Sequence, residues 1–208
     1  MTARTTKSHP DWKQGFLFVG NHLVLDFLNT RPVQDGKSLE LLPDFRALLR
    51  WFEAAGLLPA HEAANLQNQW GESDRALQTL KTVWELREKL RKAVLSWELG
   101  VAVHRSTVEE LNRLMVDHPM RTRLKATRNA LSKELWFDTQ QPDDLFAPLA
   151  HGAATLFAEA RRDRVRKCGQ CVLHFHDTSK KGTRRWCSMR LCGNRLKVAA
   201  YAARRRSP

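Results

Sequence analysis

All four cysteines of the chain lie within twenty-five residues near its C-terminal end. They form a Cys-x2-Cys pair and a Cys-x4-Cys pair with fifteen residues between the pairs: Cys168, Cys171, Cys187 and Cys192. Two thiolates two residues apart can share one tetrahedral ion, because a tight turn brings their sulfurs to the ~3.7 Å separation that Zn–S bonds of ~2.3 Å require. Two such pairs in one short segment predict a structural zinc site with all four cysteines as ligands.

Disulfides, redox chemistry and other metals are the competing interpretations of these thiols. The N-terminal residues hold no apolar segment suited to export, and no run of ~20 apolar residues is present, so we expect a cytoplasmic protein that does not span a membrane. In a reducing compartment clustered thiols favour a metal over disulfides. An iron–sulfur centre and a thiol sensor stay open as alternatives. His174 or His176 can in principle replace a sulfur ligand, but we expect them to alternate on a short strand, one inward and one outward, and to bind no metal.

The charge of the chain is concentrated in the same segment. The 208 residues carry a net charge of +13. Residues 161–208 hold fifteen Lys and Arg against two acids, whereas residues 1–160 hold twenty of each sign. A four-thiolate zinc site needs only a couple of nearby cations, so most of the excess is available to an external polyanion. Nucleic acid is the expected partner through counterion release, with a merely solvated basic tail and an anionic membrane surface as alternatives.

The body preceding this segment is predicted to be mainly helical. After a disordered leader at 1–14, a turn at Gly20-Asn21 separates two apolar runs that form either a hairpin or the start of a helix, and residues 31–37 are predicted to be a loop. Apolar spacing and caps then predict helices at about 43–56, 60–70, 73–100, from the Ser106/Glu109 capping box onward, and from Pro142 onward. Residues 121–127 and 131–137 alternate and are predicted to pair as a hairpin. No phosphate-binding loop or nucleophile elbow occurs in the sequence, so we expect no enzyme and name no catalytic residue.

The cysteine segment is predicted to be a zinc-stabilised hairpin and helix. Val172 to His176 and Thr183 to Trp186 are expected to pair as strands, and Cys192 is expected to open a helix from Gly193 to Arg206. Phe175 and Trp186 are expected to shield the metal from water. Cations held on such a rigid module suit phosphates and base edges, and the candidate contacts are Arg184, Arg185, Arg190, Arg195, Lys197, Arg204 and Arg205. Arg195 has an alternative inward role.

Two known families resemble this chain. The cysteines, Arg184-Arg185-Trp186-Cys187-Ser188-Met189 and Cys192-Gly193-Asn194-Arg195 resemble the CGNR zinc finger. Gly20, Leu25-Asp26-Phe27 and Asn29-Thr30 resemble the ABATE domain usually found before it. The resemblance implies a bacterial cytoplasmic, stress-induced transcription regulator, with a finger that binds nucleic acid and a body that senses a ligand.

The sequence therefore predicts an α+β protein, with an ABATE-like domain at 15–160 and a zinc finger at 161–208. The leading hypothesis is a zinc-dependent DNA-binding regulator whose body senses a small-molecule effector or forms a homodimer. RNA or ribosome association is one alternative. A small-molecule-binding protein or enzyme is another, with Asp26, Asn29 and Thr30 as ligand contacts and the finger only structural; the competing role for Asp26 and Asn29 is a turn or helix cap. Docking of the finger on an acidic protein is a further, lower alternative.

Overall fold

The computed structural model describes residues 11–34, 36–128 and 130–194. In chain order its regular elements are β1 Trp12–Lys13, β2 Phe16–Leu17, α1 Leu23–Leu28, β3 Val33–Gln34, β4 Lys37–Ser38, α2 Phe45–Ala54, α3 Ala60–Trp70, α4 Asp74–Glu98, α5 Arg105–Asp117, β5 Arg121–Ala126, β6 Leu131–Trp136, α6 Phe146–Glu159, β7 Val165–Lys167 and β8 His174–His176. A 3₁₀ turn at Pro142–Leu145 leads into α6, and a π-helical turn spans Met189–Gly193. Helices with short two-stranded hairpins confirm the predicted fold class. None of the helices in the described ranges combines the length and apolar character needed to cross a bilayer.

Contacts divide the chain into two compact units. Met1–Leu41 and Asp163–Pro208 form one, called here the finger unit, and Leu42–Arg162 form the other, the helical unit. The sequence division at 160/161 separates the first forty-one residues from the cysteine segment, whereas the contacts group these two stretches together. The two stretches belong to one unit because α1, near the start of the chain, packs against β8 in the cysteine segment.

The helical unit is an all-helical core with one protruding hairpin. Ser73 caps α4 as predicted, because its Oγ accepts a hydrogen bond from the backbone N–H of Ala76 at 3.1 Å. The apolar stripe of α4 is buried together with residues of α2, α3 and α6, including Leu48, Trp51, Phe52, Leu66, Val83, Leu90, Val94, Leu149 and Leu156. One start signal was wrong: α5 begins at Arg105, and His104 rather than Ser106 is its N-cap. The Nδ1 atom of His104 accepts from the Ser106 N–H at 3.3 Å, so Ser106 is already helical.

The predicted hairpin at 121–137 is confirmed. β5 and β6 pair antiparallel over six residues each, with Arg121 opposite Trp136 and Ala126 opposite Leu131. Every residue of β5 is exposed, and only two residues of β6 are partly covered.

The finger unit begins with residues that the sequence assigned to a disordered leader. Trp12–Lys13 pairs with Phe16–Leu17, which corrects that prediction for residues 11–14; residues 1–10 lie outside the described ranges. The run after Gly20-Asn21 forms α1, which selects the helix from the two alternatives, and the predicted loop at 31–37 contains the small β3–β4 hairpin.

The strand pairing predicted inside the finger was wrong. β8 pairs antiparallel with β7, upstream of Cys168, and not with Thr183 to Trp186. Side chains satisfy the backbone of that returning segment instead: the Asp177 carboxylate accepts from the N–H of Arg184 at 2.8 Å, and the Arg166 guanidinium donates to the carbonyls of Gly182 and Arg184 at 2.9 and 3.0 Å. Of the predicted helix Gly193 to Arg206, residues 195–206 lie outside the described part of the chain.

Candidate metal centre

The four cysteines converge from two loops. Cys168 follows β7, and its N–H donates to the carbonyl of Leu173 at 2.8 Å, which closes the turn that carries Cys171. Cys192 lies in the π-helical turn, whose N-cap Ser188 accepts from the N–H groups of Arg190 and Leu191 at 3.1 and 3.4 Å. Turn chemistry therefore sets the local path of each cysteine loop. The bonds from Ser188 Oγ to Asp11 and from the Gly169 N–H to the Arg185 carbonyl, the latter at 3.2 Å, hold the two loops in place.

The sulfur positions match a tetrahedral ion. All four Sγ atoms lie within 4.8 Å of one another. Cys187 Sγ is 3.6 Å from both Cys171 Sγ and Cys192 Sγ. This distance is close to the ~3.7 Å edge of a tetrahedron with Zn–S bonds of ~2.3 Å. None of the four is in a disulfide, and three are buried. Four convergent thiols with no competing partner fit a structural Zn²⁺, and Cys168, Cys171, Cys187 and Cys192 would hold it.

The close packing of the thiols makes metal binding at this site depend on pH. Hydrogen bonds from the Cys171 and Cys187 thiols lower the pKa of Cys168 far below that of an ordinary thiol. Donation to Cys168 raises the pKa of Cys171 to about 12 and raises the pKa of Cys187 further. Because raised pKa values keep thiols protonated, a divalent ion must displace protons from them to bind.

An apolar shell surrounds the sulfurs. Phe175 and the three buried cysteines belong to one cluster, and Cys171 and Trp186 pack against it from partly exposed positions. The shielding role predicted for these two aromatic residues agrees with this placement. A Cβ atom added to Gly193 would lie 2.6 Å from the sulfur of Met189 and 3.2 Å from Trp186, so this glycine allows the π-helical turn to pack closely.

Neither finger histidine joins the sulfur cluster. In the described ranges the groups that can hold a metal together are the four cysteines alone. His174 is buried in β8, and its backbone is held by Asn29. The all-cysteine set is therefore the ligand set that the geometry supports.

A family model for the ABATE domain, described as "Putative stress-induced transcription regulator", matches residues 21–160, more than half of the chain. The chain belongs to the ABATE family. A second model, for the CGNR zinc finger, matches residues 164–205 and contains all four cysteines. No curated protein matches the chain. Sequence family and sulfur geometry thus agree on a zinc finger with a clustered cysteine site.

Residues 20–29, which begin one residue before the ABATE match, complete the finger structurally. The backbone N–H and carbonyl of His174 are both bonded to the Asn29 side-chain amide, whose Oδ1 and Nδ2 lie 2.8 and 2.9 Å from them. The N–H of His176 donates to the carbonyl of Gly20 at 2.7 Å, and its carbonyl accepts from Asn21 at 3.0 Å. The ABATE segment therefore satisfies the free edge of β8 in the way that a third strand would.

The three candidate ligand contacts in the ABATE domain bond to backbone atoms. Asp26 Oδ1 accepts from the N–H of Gly20 at 2.7 Å, and Thr30 Oγ1 donates to the carbonyl of Phe27 at 2.7 Å. Asp26, Asn29 and Thr30 are all buried. Burial raises the pKa of Asp26 to about 7, against the opposing hydrogen bonds from the backbone of Gly20 and Val19. The Asp26 bond fits the local role that the sequence leaves open for it, whereas the Asn29 side chain bonds to the backbone of β8 and not within a turn or helix cap.

The candidate nucleic-acid contacts have unlike surroundings. The Arg184 guanidinium donates to the carbonyls of Trp186, Val19 and Cys187, and its central carbon lies 4.4 Å from the Phe175 ring centroid. Arg185 is exposed, with its guanidinium 5.4 Å from the Trp186 ring centroid, and Arg190 is exposed on the π-helical turn. Arg195, Lys197, Arg204 and Arg205 lie outside the described residues.

Sequence reasoning missed two further structural arginines. Arg164 donates to the carbonyls of Asp177 and Ser179 at 3.2 and 2.6 Å, and Arg166 binds the carbonyls described above. Both organise the loop around Asp177, whose carboxylate is fully buried. Burial alone would raise the pKa of Asp177, but hydrogen bonds from Ser179 and from the Arg184 N–H, together with the charge of Arg166, lower it to about 2. The available signal was the spacing of Arg164 and Arg166, two residues apart next to the acid Asp163, with Arg164 just before β7 and Arg166 within it.

Proposed function

We propose that the protein is a zinc-dependent DNA-binding transcription regulator in which the metal fixes a cationic surface of the finger unit. The convergence of four sulfurs within 4.8 Å carries the proposal, because a shared ion makes the loops on both sides of the site rigid. Two exposed arginines lie directly on these metal-bound loops. Arg185 has its guanidinium near the Trp186 ring, and Arg190 lies on the turn that holds Cys192. Arginines held in this way lose little freedom on contacting phosphate or guanine.

The charge available to DNA is smaller than the sequence total suggests. Arg164, Arg166 and Arg184 donate to backbone carbonyls and contribute mainly to folding. The exposed cations of the described finger unit on the cysteine side are Lys167, Lys180, Lys181, Arg185 and Arg190. Together with the predicted contacts from Arg195 onward, they supply the phosphate contacts of the proposal, each of which releases counterions.

The helical unit is proposed to act as the sensor and not as an enzyme. It contains a polar cavity of about 610 Å³, lined among others by Trp70, His118, Arg121 and Asp144. This size suits a small molecule. Ligands from a metabolite screen should raise the melting temperature of the full chain, and His118→Ala should abolish that rise. Dimerisation and a cytoplasmic location belong to the same proposal; the second rests on the reduced thiol ligands.

The proposal is tested on the full chain with one labelled DNA duplex. Elemental analysis should give one zinc per chain, and fluorescence anisotropy should show binding that weakens linearly with the logarithm of salt concentration. Structured RNA at equal phosphate serves as the competitor. Preferential displacement by RNA would favour the RNA or ribosome alternative, and absence of DNA binding at low salt would reject the regulator function.

A further inference from the structure

The helical unit carries its positive charge on the β5–β6 hairpin. Residues 121–136 include five Lys and Arg and a single acid, Glu134, whereas the rest of Leu42–Arg162 has twelve Lys and Arg against fifteen acids. The unit as a whole has a net charge near zero because a basic hairpin, called here the β5–β6 arm (residues 121–136), is balanced by an acidic remainder. Exposed residues of one sign, segregated on one protruding element, are the electrostatic footprint of a polyanion contact.

The strand register places three of these five cations on one face. Residues directly opposite each other in an antiparallel pair project to the same side, so Arg121, Arg123 and Lys125 share a face with Trp136 and Glu134. The guanidinium carbons of Arg121 and Arg123 lie 5.5 and 5.7 Å from the Trp136 ring centroid. The ring is within cation–π range of both guanidinium groups. Arg121 also pairs with Asp138 at 2.9 Å and lines the polar cavity, so Arg123 and Lys125 are the cations of this face that lie farther along the arm.

The ion pairs on this face are weak enough for phosphate to replace them. Arg123 Nε lies 2.8 Å from Glu134 Oε2, and Lys125 Nζ lies 3.8 Å from Glu134 Oε1, with all three side chains at least one-third exposed. Exposed pairs of this kind contribute little to stability. Glu134 is shared by two cations and Asp138 pairs with Arg121 at 2.9 Å, so three cations meet two acids and one positive charge stays uncompensated when all these contacts form.

We propose that the β5–β6 arm is a second DNA-contacting element, which lays its basic face against the phosphates and into the major groove of a duplex. A two-stranded ribbon fits the B-form major groove of about 12 Å, and strands of this length extend about 20 Å along it. The deep, narrow major groove of A-form RNA does not admit such a ribbon, so the arm favours DNA. This inference rests on the proposed function and adds a DNA contact outside the zinc finger.

The opposite face of the arm provides the rival explanations. Leu124, Leu131 and Leu135 are 71%, 69% and 48% exposed there, together with Lys133. Leucines next to cations also suit an anionic bilayer, and an apolar hairpin face suits a second copy of the chain. We base the choice of DNA on the positive charge of the β5 face and not on the leucines. A membrane and a second copy of the chain are both outcomes of the experiment below.

The test uses the full zinc-loaded chain and the duplex anisotropy assay. In the double variant Arg123→Gln with Lys125→Gln, the slope of log K against log salt concentration should become shallower by about 1.8, which is about 0.9 for each lost phosphate contact. Its DNA binding should be about tenfold weaker or more at ~0.1 M salt. The matched control is Lys81→Gln with Lys92→Gln, two exposed lysines of α4 that lower the net charge equally. Glu134→Gln should tighten binding about two- to fivefold, because it removes the acid that competes with phosphate.

Misfolding of the arm cannot imitate this pattern, since a damaged hairpin would not bind DNA more tightly. If the wild-type chain binds DNA and the arm variants match the control pair, the arm inference is overturned while the regulator function stands. If the wild-type chain does not bind at all, both fail. If the arm variants keep DNA binding but lose binding to phosphatidylglycerol vesicles, the arm contacts a membrane instead. If they keep DNA binding but lose a dimer seen in analytical ultracentrifugation, the arm contacts a second copy of the chain.

Discussion

Replacing Asp26 with asparagine should change how the stability of the finger unit depends on pH. Asp26 is 9% exposed, its carboxyl accepts from the Gly20 N–H, and burial raises its pKa to about 7. The folded chain therefore retains a proton that the unfolded chain releases near pH ~4. The stabilisation is complete below the unfolded pKa and is lost as pH rises through the folded pKa. Asparagine keeps an oxygen acceptor but does not titrate.

The size of the effect follows from those two pKa values. At about 1.36 kcal/mol per tenfold change, the full loss is about 4 kcal/mol, of which about 2.5 kcal/mol falls between about pH 5 and pH 8. His22 acts in the opposite direction at lower pH, since burial, aided by His176, lowers its pKa to about 4. The difference between wild type and Asp26→Asn cancels the His22 contribution.

Hydrogen exchange of the peptide covering residues 20–30, measured in urea at saturating zinc, reports the unfolding free energy of this unit. The wild type should lose about 2.5 kcal/mol more than Asp26→Asn between about pH 5 and pH 8. Glu72→Gln, which neutralises an exposed acid of the helical unit, is the control and should follow the wild type. Parallel profiles for wild type and Asp26→Asn would refute the claim that the buried carboxyl keeps its proton.

Three further sets of substitutions separate metal binding, folding and DNA contact. Cys187→Ser should abolish stoichiometric zinc in elemental analysis, because a tetrahedral site loses one of four ligands; retained zinc would contradict the ligand set. Arg184→Ala should destabilise the finger in urea with its carbonyl partners left unpaired, whereas Arg185→Ala should keep stability and flatten the DNA salt slope by about one. Equal behaviour of these two variants would contradict their separate roles. Asn29→Ala should cost about 2–4 kcal/mol of unfolding free energy by leaving two groups of His174 unsatisfied, and a loss under about 1 kcal/mol would count against the amide bridge.

The metal site could be predicted from sequence because its geometry is local. Each cysteine pair is separated by a turn, and turn chemistry depends on the residues within it. Cys168, Cys171, Cys187 and Cys192 thus converge as their spacing indicated. The helix start at Asp74 was predictable for the same reason, since the Ser73 cap bonds within three residues. The start at Phe45 differs from the predicted start at Pro43, because Asp44 accepts from the Ala47 N–H and is the N-cap.

The partner of β8 could not be predicted, since short strands carry little register information. Val165–Lys167 and Thr183 to Trp186 both fit as partners by composition, and the choice depends on Asp177 and Arg166 bonding to the backbone of the second segment. Arg184 shows the same limitation. Its charge suggests an exposed contact, yet its carbonyl partners lie as far away in sequence as Val19.

Summing charge over residues 1–160 also concealed information. Twenty bases and twenty acids give zero for the stretch, although the β5–β6 arm alone holds five bases and one acid. The alternation of Arg121, Arg123 and Lys125 is visible in sequence, but their common exposure becomes clear only from the isolated two-stranded pairing.

The bonds from Gly20, Asn21 and Asn29 to β8 bear on how this finger can be reused or exchanged among proteins. A chimera that transplants residues 164–205 by themselves would leave the backbone of His174 and His176 without these donors and acceptors. A recombination that separates the zinc finger from the ABATE domain would therefore destabilise the finger. Evolution should accordingly retain the two domains together in one chain.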